Sequence, residues 1–220
     1  MMEALLQEHG LWIGVSFFAA MLALAAWSSW KRRKDLERFA LANGMSFDPS
    51  ASAVAGLPGG GGGLFDRGRH TRKNLIGTAG PGGGEMYFFD YSRTTGSGKN
   101  RRTRRYGVAM LAGAPAGIPA FELRPENFLD RLVEIAGFRD IDLPQFPGFS
   151  KAYRLTGEDA EGLTRVFAAG PAAFLEGRGG LMMNGGAGRL TLMRRGYVGA
   201  ADYPGFIEEA RAVFTSFLSN

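Results

Sequence analysis

The chemical signal in this chain is a run of cations. Between Arg93 and Arg105 stand six basic side chains, Arg93, Lys99, Arg101, Arg102, Arg104 and Arg105, with no acid among them. Such a run suits phosphate, either lipid headgroups at a membrane surface or a nucleic-acid backbone. Nucleic-acid binding also wants stacking aromatics among the cations, and only Tyr91 and Tyr106 flank this stretch, so a nucleic-acid partner is disfavoured. The bland reading is a solvated hairpin tip whose charges deter edge-to-edge pairing.

Catalytic constellations are scarce. The chain has no cysteine and two histidines, His9 and His70, which excludes disulfide staples, thiolate nucleophiles and multi-His zinc sites. The stretch Thr94–Asn100 (TTGSGKN) approaches a nucleotide-binding loop and fails. Arg93 stands where the motif needs its first glycine, and Asn100 where it needs Ser or Thr. No G-x-G-x-x-G and no G-x-S-x-G occurs, and His70 sits in a basic loop without triad partners. Asp140 and Asp142 flank Ile141 and could share one strand face, the arrangement paired carboxylates need; a polar loop leading into Leu143-Pro144 explains them more simply. No cofactor and no metal is implied.

The elements that position these residues begin with a membrane segment. Gly10 to Trp30 carries no charged side chain, and about 20 helical residues span the roughly 30 Å hydrocarbon core of a bilayer. Leu11, Ile13, Val15, Phe17, Phe18, Leu22 and Leu24 favour insertion, while Trp12 at one end and Trp27 and Trp30 at the other suit the two interfaces. Residues 11–30 therefore read as a transmembrane helix, after a short extracytoplasmic stretch, 1–10. A cleaved leader would want a basic start and a shorter apolar run; Glu3 and Glu8 precede this one, although Ala23-Leu24-Ala25 mimics a cleavage site. A buried core helix would show a polar stripe, and this segment has none. Ser16, Ala19, Ala20, Ala23 and Ala26 fall near one face, where small residues would let two helices pair as a homodimer.

Lys31, Arg32, Arg33 and Lys34 crowd the far flank as interface anchors. The positive-inside rule then places the N-terminus outside and all that follows in the cytoplasm, at a bacterial inner membrane. Two of the 21 acids precede Trp30 and none of the 26 bases does, so the cytoplasmic part carries a formal +7 and should be drawn to an anionic leaflet.

Residues 31–44 predict a helical stalk, with Lys31/Asp35 and Arg33/Glu37 as i,i+4 pairs, Leu36, Phe39 and Ala40 as an apolar face and Gly44 as its stop. Residues 50–63, ending in five glycines, have linker composition. The rest, 45–220, alternates strand and helix signals and predicts an α+β domain of mainly antiparallel strands. Strands are expected at 71–79, 84–92, 104–112, 119–123 and 150–155, and in a hairpin turning at Asn184-Gly185. Helices are expected from Pro125 to Gly137, after Asp159, after Pro171 and after Pro204. Both 45–137 and 138–220 run strands first and a helix last, the pattern of two similar halves.

The chain resembles a group of uncharacterised bacterial single-pass membrane proteins with a cytoplasmic α+β domain. The likeness rests on the N-terminal anchor, Phe89-Asp90-Tyr91, the Gly96–Lys99 hairpin, Pro119–Glu126 and Phe149–Gly157. It implies architecture and location, and no activity. The sequence expectation is a non-catalytic, membrane-tethered binding or scaffolding module whose partners are the bilayer and anionic headgroups. A hydrolase-type enzyme built on carboxylates that the fold gathers is the alternative, and a nucleic-acid-binding module the second.

Overall fold

The structure, a computed structural model, describes residues 2–54, 69–126 and 139–218. The first element, α1 (Met2–Ala42), is one unbroken helix of 41 residues, about 60 Å long and so twice the thickness of a bilayer core. Nothing between Trp27 and Ala42 breaks a helix, so the apolar segment and the stalk are continuous. It ends where Gly44 takes a positive φ of 67° and the Met45 amide donates to the Ala40 carbonyl at 2.9 Å.

The two parts of α1 lie in different surroundings. Trp12, Ile13, Val15, Phe17, Phe18, Leu22, Leu24, Trp27 and Trp30 are all more than half exposed. Leu36 and Ala40 are fully buried, and Phe39 packs on the same core. The expected i,i+4 ion pairs are replaced by i,i+3 pairs, Lys34–Glu37 at 2.9 Å and Asp35–Arg38 at 4.0 Å, while Lys31 turns back over Trp27.

The rest is an antiparallel sheet with helices on one face. The strands are β1 (Ser46–Asp48), β2 (Arg69–Ala79), β3 (Glu85–Thr95), β4 (Arg102–Ala112), β5 (Phe121–Pro125), β6 (Arg139–Ile141), β7 (Tyr153–Gly157), β8 (Met182–Gly186) and β9 (Arg189–Arg195). Among the described residues they form one nine-stranded sheet in the order β1-β2-β3-β4-β9-β8-β5-β7-β6, every neighbour antiparallel. The expected α+β class is the observed one. The α-helices that follow α1 among the described residues are α2 (Pro147–Ala152), α3 (Ala160–Ala168), α4 (Pro171–Leu175) and α5 (Tyr203–Ser216).

Period-2 alternation divides the sheet into two apolar clusters. Met86 and Phe88 of β3, with Ala109 and Leu111 of β4, join Leu36, Ala40, Phe206 and Phe214 in the larger one. Phe89, Tyr91, Tyr106, Val108 and Met110 point the other way with Leu75, Met182 and Met193. Phe121, Phe167 and Phe217 meet edge-to-face and stacked, with ring centroids 5.0–5.8 Å apart.

Three sequence expectations are corrected. The strand expected at 150–155 starts later: Pro147 opens α2, and Tyr153 begins β7. The last hairpin turns at Ala187-Gly188, with φ of 50° and 72°, and not at Asn184-Gly185, which lie inside β8. Asn184 is fully buried there, opposite Glu122 and Thr191. Gly185 is held in the strand by its neighbour, since a Cβ on it would meet the Phe121 ring at 2.3 Å. The remaining helix starts fall as expected, with the Asp159 carboxylate accepting from the Gly162 amide at 2.8 Å. Pro125, expected to open a helix, instead ends β5, paired with Tyr153; residues 127–137 of that expected helix and most of the glycine-rich linker lie outside the described residues.

Candidate functional site: the helix–sheet junction

The residues that join α1 to the sheet form a polar cluster around a buried carboxylate. Asp90 interrupts the apolar run of β3 and is 3% exposed. A buried carboxylate needs partners, and it has three donors. Arg32 grips it with both arms of its guanidinium, Nε to Oδ2 at 2.8 Å and Nη2 to Oδ1 at 2.7 Å, and Asn74 Nδ2 donates to Oδ2 at 2.9 Å. Arg32 Nη2 also donates to the Val198 carbonyl at 2.8 Å, and its guanidinium lies 5.0 Å from the Tyr197 ring.

Local backbone geometry aims these groups. Between Lys73, opposite Asp90, and Ile76, opposite Phe88, β2 carries an extra residue, a bulge in which Asn74 takes a φ of 56°. Asn tolerates that conformation better than most residues, and a bulge re-aims a side chain, here onto Asp90. Gly107 stands opposite Asp90 on β4, and a Cβ on it would meet Val198 at 2.5 Å. Its bare backbone lets the 197–199 loop come close enough for the Val198 carbonyl to reach Arg32.

The electrostatics follow. Burial works against the Arg32 charge, but the hydrogen bonds and the negative charge of Asp90 outweigh it and hold its pKa above the ordinary value. Tyr203, packed beside the pair, has its phenol pushed well above its usual range, first by burial and then by Asp90. With three donors on it, Asp90 ties α1 to the sheet.

Two contacts set the direction in which α1 runs. Arg32 meets Asp90, and two turns later Phe39 packs on Tyr203 (5.5 Å), whose ring meets Phe88 (6.3 Å). Moving down α1 towards its apolar end is therefore moving along β3 towards Thr95 and the hairpin to Arg102. The basic run thus lies at the end of the sheet nearest the apolar helix. It is joined there by Arg69, Arg72 and Lys73 of β2, so residues 69–74 and 90–106 carry nine cations and the single acid Asp90.

Most of those cations reach solvent. Arg69, Lys73, Lys99, Arg101, Arg102 and Arg105 are exposed, and Arg72 and Arg104 are half-buried. Arg93 is 6% exposed, and its charge is felt by the buried Glu122; it cannot serve as a surface contact as the sequence reading expected. His70 stacks on Tyr91 at 6.2 Å. On the helix side, hydroxyl pairs cross the strands, Thr71 with Ser92 and Thr94 with Thr103, each at 2.9 Å.

Between α1 and this end of the sheet lies a cleft of about 680 Å³, within the usual range of ligand pockets. Ser28, Ser29, Arg32 and Arg33 line one wall, with Lys73, Asn74, Asp90, Arg105 and Tyr197 opposite. Arg105 lies 5.8 Å from the Tyr197 ring. Arg32 neutralises Asp90, whereas Arg33, Lys73 and Arg105 form no ion pair with the described residues. The cleft therefore carries a net charge of about +3 by side-chain count.

The sequence reading missed this site. It placed Arg32 among the interface anchors and gave Asp90 no role beyond its place in the strand expected at 84–92. The available signal was an acid inside the apolar Met86–Tyr91 run, with a cluster of arginines following a greasy helix. The carboxylates singled out earlier sit elsewhere: Asp140 pairs with Arg154 at 3.1 Å, and both Asp140 and Asp142 are exposed beside buried Ile141 and Leu143. Among the described residues no group of three or more acidic or histidine side chains gathers to hold a metal ion. Glu122 is a buried acid 3.1 Å from Arg124; burial pushes its carboxyl pKa up, and Arg124 and Arg93 draw it back only in part.

No protein-family model matches the chain, and no curated protein does. Among solved structures, the chain is similar to the crystal structure of the mycobacterial trehalose monomycolate transport factor A, TtfA, at a TM-score of 0.58 and 10% identity. The match covers 83% of this chain and 92% of that one. At that identity what the two proteins share is the fold, an α+β antiparallel sheet with helices packed on it.

Proposed function

We propose that the chain is a non-catalytic, membrane-tethered binding module. In this reading α1 spans the inner membrane, and the basic end of the sheet rests on the anionic cytoplasmic leaflet. The observation that carries it is the nine-to-one excess of cations at the end of the sheet that leads down to the apolar half of α1. Headgroup attraction of about 1 kcal/mol per well-placed cation makes the five exposed or half-exposed basic side chains of residues 99–105 enough to seat the domain.

The span is supported by exposure. A stretch with ten large apolar side chains in water is far beyond what a soluble monomer shows. Against a cleaved leader stands the continuity of α1, which runs through Ala23–Ala25 without a break and supplies Leu36, Phe39 and Ala40 to the core. That a transport factor shares the fold supports a role in binding or assembly over chemistry.

The test uses the full chain in nanodiscs of phosphatidylcholine alone and of phosphatidylcholine with phosphatidylglycerol. Amide exchange in 99–105 should slow only in the anionic discs, and the protection should fade as salt rises. Equal exchange in the two compositions rejects the surface contact, and a periplasmic reporter that is active when fused after Asn220 rejects the orientation.

A further inference from the structure

Beyond general attraction to the leaflet, we infer that the cleft between α1 and the sheet holds one anionic phosphate headgroup of a membrane lipid. The inference rests on the membrane placement proposed above and adds to it a discrete, saturable site.

Three observations converge on that ligand. The first is charge. Arg32 and Asp90 satisfy each other, so Arg33, Lys73 and Arg105 offer donors and about three net positive charges, with no second acid among the described residues that line the cleft. A dianionic or monoanionic phosphate meets that excess, while a zwitterionic headgroup would bring its own cation into it.

The second is composition along the cleft. Ser28, Ser29 and Asn74 add hydroxyl and amide groups to the lining, and Ala25 and Trp30 add apolar surface from α1. A free phosphate would use only the first part. A lipid uses both, with its headgroup among the cations and the start of its acyl chains along the exposed face of α1.

The third is depth. Trp27 and Trp30, each 58% exposed, are the side chains that settle at the headgroup level, and Ser28 and Ser29 of the lining lie between them. The site is thus at the height where a lipid phosphate is already present and needs no extraction from the bilayer.

The test is native mass spectrometry of the full chain released from nanodiscs that hold equal phosphatidylglycerol and phosphatidylcholine. One phosphatidylglycerol should stay bound per chain. Lys73→Gln together with Arg105→Gln should weaken retention by about thirtyfold, two cations being removed. Arg101→Gln with Arg102→Gln, which lie on the hairpin outside the cleft, should reduce surface contact in the exchange assay and keep the bound lipid. No retained lipid, equal retention of phosphatidylcholine, or full retention by the Lys73/Arg105 double variant overturns the site. The surface-contact reading stands in each of those cases if exchange protection persists. In a second arm, the chain in neutral maltoside micelles is titrated with dihexanoyl phosphatidylglycerol and with inorganic phosphate while Trp fluorescence is followed. Saturation by the lipid at concentrations where phosphate gives none supports the assignment; equal saturation by phosphate overturns the lipid as its source.

Discussion

Replacing Asp90 by Asn tests whether one ion pair holds the anchor helix to the sheet. The change keeps the shape of the side chain and removes the charge that Arg32 faces at 2.7 and 2.8 Å. Removing one partner of a buried pair costs about 3–5 kcal/mol, because the survivor is left charged and undersolvated. The Arg32 side chain is 22% exposed and can rehydrate in part, so the lower figure, about 3 kcal/mol, applies to Asp90→Asn. Arg32→Met strands a carboxylate that is 3% exposed and also leaves the Val198 carbonyl without its donor, so it should cost more, about 4–5 kcal/mol. The combination Arg32→Met with Asp90→Leu leaves neither charge behind, and should be more stable than the sum of the singles by about 2 kcal/mol or more. The assay is denaturant unfolding of the full chain in neutral micelles, followed by tyrosine near-UV circular dichroism, since all three tryptophans lie in α1. A loss below about 1 kcal/mol for Asp90→Asn, or strict additivity of the two sites, refutes the reasoning.

Three further outcomes are expected. Gly107→Ala should push Val198 off the sheet and cost about 1–3 kcal/mol as overpacking, read in the same unfolding assay; a neutral change shows that the 197–199 loop yields freely. Phe121→Ala, removing a fully buried ring that meets Phe167 and Phe217, should cost about 3–5 kcal/mol, and a smaller loss means that the site collapses around the gap. Glu122 sets a pH dependence: burial raises its folded-state pKa, so the folded chain keeps a proton that the unfolded chain releases, and stability falls as pH rises from the ordinary carboxyl value through the raised one. Glu122→Gln should therefore gain in melting temperature over the wild type as pH goes from 4 to 7, and a constant difference across that window contradicts the burial argument.

What the sequence made legible follows from how local each signal is. The apolar run 11–30, the alternation Met86/Phe88 against Phe89/Tyr91 and the capping residues Asp159 and Pro204 are set by neighbours in the chain, and these elements lie where the pattern put them. The strand at Tyr153 and the turn at Ala187-Gly188 depended on distant partners. Asn-Gly favours a tight turn in isolation, yet burial of Asn184 opposite Glu122 and closure of Phe121 over Gly185 draw that pair into the strand. The junction was harder still, because Arg32, Asn74, Asp90 and Val198 are brought together across separations of up to 166 residues. No spacing rule reports such a set. The bulge that turns Asn74 inward is a change of register that single-sequence periodicity cannot register as more than a faltering pattern.

The continuity of α1 gives the junction its mechanical meaning. A flexible linker after the apolar segment would let the domain tumble relative to it. Here the helix that carries Trp12 to Trp30 is the same rigid rod that puts Leu36 and Ala40 into the core, and Arg32 locks its rotation against β3. Because 3.6 residues make a turn, fixing Arg32 also fixes which faces of Ala25, Ser28 and Ser29 look at Lys73 and Arg105. The ion pair, the cleft and the direction of the basic hairpin are therefore one geometric fact. A change that frees Arg32 should loosen all three together, whereas a change in the hairpin should leave the helix and the cleft in place.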